Sequence, residues 1–222
     1  VTGLNTRTVQ ALSTEAITAL TTGQIEVINT AGLAALTTSQ VKALSTDAVI
    51  ALSTYQVANL TTGTMAALST AQVAAIETTD IQALSTKQLA GLATGTVSAL
   101  TTDQVIALTT YQVGNLSTAT LKALSSDQIA AIETTDIQVL TTGQLAGLAT
   151  STVAALTTDQ VVALTTYQIG NLSTATLKAL SSDQLVAIET TDIQALKTSQ
   201  LATLATGAVP ALTAGPVLAR TT

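Results

Sequence analysis

Aliphatic and hydroxyl side chains recur along this chain with a period of eight. From Asn5 the sequence divides without insertion or deletion into consecutive octads, NTRTVQAL, STEAITAL, TTGQIEVI and onward to ATGAVPAL, which ends at Leu212. Position five is always Val, Ile, Leu or Met, position eight is Leu or Ile, position two is Thr or Ser, and position seven is mostly Ala or Gly. Position four favours Gln or Thr, and position three varies freely. A fixed short period of this kind overrides ordinary domain logic and points to a stacked repeat.

Positions five and eight lie three residues apart. That is a helical spacing, and an odd and an even position cannot share one face of a strand. With Ser, Thr or Asn of position one as N-cap, Gln at position four completes a capping box. The preceding aliphatic residue of position eight then falls at N′ and that of position five at N4, the two members of a hydrophobic staple. One continuous helix is excluded, because eight residues make about 2.2 turns and the apolar positions would wander around the axis. Each octad therefore starts a new helix, too short to hold alone and stabilised by its neighbours. The expected fold is all-α: a solenoid or superhelix of very short capped helices, one per octad. The alternative is a β-solenoid, since Thr, Val and Ile favour strands; the Gln and Ala content and the lack of regular Gly or Asn corners oppose it. Position two is even more constant than position one, where Glu77, Glu133, Ala149 and Lys197 intrude. That leaves Thr of position two open as the cap or as a bond between turns.

A longer period overlies the octads. Residues 101–156 and 157–212 agree at 45 of 56 positions, and residues 45–100 follow the same order, so seven octads form one super-repeat. Residues 1–222 are expected to be one uninterrupted array without linker. VTGL enters in mid-octad, and Pro216 and Arg220 break the pattern near the other end, so the chain is expected to be an excerpt of a longer array. If seven octads span a whole number of turns, residues 56 apart line up in stripes. Tyr55 with Asn59, Tyr111 with Asn115 and Tyr167 with Asn171 would form one, the acidic pairs a second, and Lys122 with Lys178 a third. The Tyr and Asn residues are four apart and share a helical face. Two readings follow: a polar pair pinning the register, or a repeated contact for a sugar or a partner surface. The phrase ETTDI pairs Glu77 with Asp80, Glu133 with Asp136 and Glu189 with Asp192. Carboxylates three apart are calcium candidates, but two of them with Thr hydroxyls fall short of six to eight oxygen ligands, and helix-start electrostatics also accounts for them.

Composition narrows the function. The chain has no Cys, His, Trp or Phe, and charged residues make up 9% of it, so the side chains that do most catalysis and metal binding are missing. We expect no enzyme activity and no cofactor. A net charge of −6 with seven thinly spread Lys and Arg opposes a phosphate-binding surface and hence nucleic acid. Hydroxyl pairs interrupt every apolar run, so no membrane span is expected. The opening residues do not read as a signal peptide. Absence of Cys suits a secreted protein and a reducing cytosol equally.

At residues 156–164, LTTDQVVAL resembles the opening helix of the repeats in transcription-activator-like effectors. The second helix and base-reading loop have no counterpart, so DNA binding is not carried over. The Thr rows resemble ice-binding solenoids in composition only. Taken along the whole chain, the octads resemble the low-complexity Thr, Ala, Leu and Gln arrays of very large bacterial surface or secreted proteins, often called adhesin-like. That resemblance implies a structural spacer or stalk segment of a bacterial extracellular or cell-surface protein, partnered by neighbouring repeats. The alternative is a self-assembling filament or adhesive module that binds other copies or a glycan through positions three and six.

Overall fold

The computed structural model describes residues 6–92, 94–148 and 150–207. The ends read above as partial or broken octads, and Ala149, lie outside them. Among the described residues the chain forms one short helix per octad, α1 (Thr6–Gln10) to α25 (Thr198–Gly207), and no strand. The β-solenoid alternative is thereby set aside.

Where an N-cap is described it is the residue of position one. Ser45 is extended at φ −70°, ψ 161°, and its hydroxyl accepts the Ala48 N–H at 3.1 Å. Where Gln stands at position four the capping box closes: Gln40 Oε1 accepts the Thr37 N–H at 2.9 Å, and the Gln40 N–H donates to Thr37 Oγ1 at 3.3 Å. Thr of position two is thus the first helical residue and not the cap. The helix ends by tightening: the Leu44 N–H donates to the Val41 carbonyl at 3.2 Å, and Leu44 itself turns extended at φ −61°, ψ 133°. No described residue needs a positive φ. This is why the array has no regular glycine corners: the chain passes from right-handed helix straight into the extended cap of the next octad.

The described chain divides into two compact units, Val1–Leu116 and Ser117–Thr222. In the first, helices pack three apart in sequence: α1 on α4 (Thr30–Ala34), α2 (Thr14–Thr18) on α5 (Thr38–Ala43), and α5 on α8 (Thr62–Ala67). In the second, α15 (Thr118–Ala123) packs on α18 (Thr142–Gly147), and α19 (Thr150–Ala154) on α22 (Thr174–Ala179). Positions five and eight face inward in both; Val41, Met65, Val73 and Ile81 are fully buried in the first unit, Leu121 and Leu177 in the second. The layers close tightly. A space among Leu33, Leu36, Val49, Val57 and Thr64 holds about 10 Å³, at the lower limit for a single water. Position seven is small where turns meet: a Cβ on Gly91 would stand 3.2 Å from Thr62 Cβ, and one on Gly147 3.1 Å from Thr118 Cγ2.

Gln of position four has a second role that the octad alone does not announce. In the first unit Gln72 Nε2 donates to the carbonyls of Val41 and Leu44, both at 2.7 Å, across 31 and 28 residues. Gln40, Gln56, Gln88, Gln104 and Gln112 repeat the pattern at the same offsets. In the second unit so do Gln160, Gln168 and Gln184. The last carbonyls of a short helix have no partner within it, and a primary amide supplies two donors and an acceptor. One buried side chain therefore caps the start of its own helix and the end of another one turn away. Gln24 closes its own capping box with Thr21 and is exposed.

The same offsets fix the pitch. Thr18 Oγ1 donates to the Ala43 carbonyl across 25 residues, and the Gln bonds span 28 to 31. Within a unit the vertical neighbour lies near 28 residues, or three and a half octads, and two such steps make the 56-residue super-repeat.

Candidate functional site

What the stacking leaves for other molecules is the outer surface, carried by positions three and six. Tyr55, Tyr111 and Tyr167 stand at position three, on the first turn of their helices, and are 72, 73 and 72% exposed. The Asn that follows each by four residues does something different. Asn59, Asn115 and Asn171 are C-caps, and each Nδ2 donates to the backbone carbonyl of its Tyr at 2.8 Å. The Asn amide thus finishes the helix, while the Tyr side chain projects into solvent. In the first unit the 56-residue spacing of Tyr55 and Tyr111 equals two vertical steps of 28. Sequence reading passed over a companion of these residues: Ile50, Ile106 and Val162, at position six of the preceding octads, are 45, 46 and 45% exposed. Their signal was the same 56-residue phase.

The acidic pairs are separated. Glu77, Glu133 and Glu189 occupy the N-cap, make no side-chain capping bond and are exposed; Asp80, Asp136 and Asp192 turn inward and are 2, 2 and 4% exposed. The cap Glu stays at the surface, while the Asp of position four packs inward. The first unit instead brings Glu77 toward a residue of another octad. An open depression there is lined by Glu77, Thr78, Thr79, Thr101, Asp103 and Gln104. Two carboxylates and hydroxyls remain short of a calcium ligand set, and no group of three metal-ligating side chains occurs among the described residues. Lys122 and Lys178 sit at position six in the last turn of α15 and α22, where a cation suits the helix dipole. Glu15 is fully exposed. Its carboxylate is held below the usual range by its own backbone N–H, then by hydrogen bonding from Ser13 and Thr14, against a small opposing effect of burial.

No described helix is long and apolar enough to cross a membrane. No curated protein matches the chain. The model of the ALTTAQ repeat matches residues 25–62, 73–110, 110–142 and 129–166, more than half of the sequence, in tandem and with overlap. The phrase appears here as ALTTSQ at 35–40 and ALTTDQ at 155–160. Its letters fall on the small seventh residue, the core Leu, the N-cap and the Gln that joins one turn to the next, so the chain belongs to the ALTTAQ repeat family.

Proposed function

We propose that this array is a structural spacer or stalk within a large bacterial extracellular or surface protein. The observation that carries this reading is where the recurrent polar groups go. The cap hydroxyl and the Gln amide are consumed in holding octads together, which leaves a low-charge surface and, among the described residues, no group of three metal-ligating side chains. Nearest-neighbour stacking lets such an array gain length by adding repeats without altering those present. The extracellular and bacterial part of the reading rests on the resemblance of the octads to the arrays of very large bacterial surface or secreted proteins. The test is a series in which whole 56-residue blocks are added or removed. A spacer stays monomeric at high concentration and changes its scattering-derived maximum dimension by a constant increment per block. Concentration-dependent growth, or a dimension that does not follow block number, contradicts it.

The exposed Tyr and the aliphatic residues that share their phase favour a second reading, an adhesive or self-assembling surface that meets other copies or a glycan. Replacing the three Tyr by Ser separates the two: a spacer keeps its mass and shape, whereas an adhesive module loses its association.

A further inference from the structure

We infer that the buried aspartates Asp80 and Asp192 each hold a small hard cation between turns of their own unit. In the octads flanking Asp80, Gln72 donates to the carbonyls of Val41 and Leu44, and Gln88 to those of Val57 and Leu60. In the same register the carbonyls facing Asp80 are those of Val49 and Leu52, with Ile50 at the intermediate offset that Gln56 uses on Glu26. Asp192 faces Val161 and Leu164 by the same rule in the second unit, since Gln184 takes Val153 and Leu156 eight residues earlier. An aspartate is one methylene shorter than Gln, and its carboxylate only accepts. Acceptors therefore meet acceptors where the other octads have an amide. Asp80 and Asp192 make no side-chain hydrogen bond or ion pair among the described residues, and Asp136 Oδ1 is buried without a partner.

The slot has the character of a cation site. It offers one carboxylate and two or three carbonyl oxygens, from the end of a helix where the peptide dipoles present negative charge. A bridging water would satisfy two of these oxygens and leave the buried charge uncompensated, whereas a monovalent cation satisfies all of them and neutralises it. The space vacated by the amide carbon and nitrogen is small, which selects an ion of sodium size over an organic cation. An Asp stands at this place once per super-repeat, so the same block that returns the Tyr returns the Asp.

The experiment compares thermal unfolding of the full chain in sodium chloride and in choline chloride at equal ionic strength. It uses the parent and the triple variant Asp80→Gln, Asp136→Gln, Asp192→Gln. We expect sodium to raise the parent's midpoint by at least about 2 °C over choline, and the triple variant to be insensitive to the exchange and at least as stable as the parent. Asp80→Asn, Asp136→Asn, Asp192→Asn, which keeps the shape and removes the charge, should also lose the response. An equal response in parent and Gln variant marks a general salt effect and overturns the inference. No response in the parent overturns it as well, with water or a proton filling the slot.

Discussion

Gln72 and Asp80 hold the same position in consecutive octads, and each is 2% exposed. The first spans two turns with its amide; the second makes no such bond. Cap backbone and burial are alike, and the two differ in one methylene, two donor hydrogens and a carboxylate in place of an amide, with Ser69 as the cap before Gln72 and Glu77 before Asp80. A third occupant, Thr64, is 5% exposed and turns its hydroxyl back to Thr61 Oγ1 at 2.9 Å. The comparison separates two functions that sequence alone merges in Gln. Starting a helix does not need Gln at position four, since α8 starts with Thr64 there and α10 (Thr78–Ala83) with Asp80. Joining turns needs an amide of Gln length.

The largest effect should come from breaking the register itself. Deleting Ala130 alone shifts the octads after it by one residue against those before it, so that Gln160 loses its offset to the Ile129 carbonyl, whereas deleting residues 125–132 keeps the octad frame. Circular dichroism melts should show the second unit's cooperative transition lost in the first case and kept in the second. Equal damage would show that the octad is not the unit of stability. Next, Gln72→Ala strands the Leu44 carbonyl and the Ser69 N–H and leaves the Val41 carbonyl only the Leu44 N–H, at a cost of about 3 kcal/mol. Asp80→Ala, which strands nothing that was bonded to its side chain, should cost less in denaturant unfolding; a reversed order would dissolve the contrast between the two. Asn115→Ala removes one C-cap bond at about 1 kcal/mol, while Tyr111→Ala, at a 73% exposed site, should leave the midpoint unchanged. Smallest is the response of Glu15. Its folded carboxylate titrates below its unfolded one, so its contribution is present above the ordinary glutamate range and fades as pH falls through that range and below it. Amide exchange at the start of α2 should quicken there, and Glu15→Gln should flatten the change.

Much of the fold was legible because its signals are local. The N-cap, the Gln of the capping box and the apolar pair that staples it all lie within nine residues, and each is a rule about one helix start. What could not be read locally is the reach of Gln Nε2, because its acceptors lie 28 and 31 residues away and depend on how many octads make a turn. The split of Glu77 from Asp80 fails for a related reason. A spacing of three says that two residues are neighbours on a helix, but the first of them here is a cap in extended conformation and does not share the helical face. The Tyr and Asn residues were grouped correctly in sequence, yet only the Asn serves the helix. That distinction needs the bond from Asn115 to the Tyr111 carbonyl. The constancy of Thr at position two is explained only where it packs beneath glycine, as Thr62 does under Gly91.

The central claim is that octads stack with a vertical offset near 28 residues, and the chain's lack of cysteine allows a direct test. The pair Thr62→Cys and Gly91→Cys, 29 residues apart, brings together positions whose Cβ atoms stand about 3.2 Å apart, within a few tenths of an ångström of disulfide spacing. Under mild oxidation this variant should form an intramolecular disulfide in the monomer, while Thr54→Cys with Gly91→Cys, one octad further off, should not. A bridge in the control pair, or none in the first, would contradict the stacking.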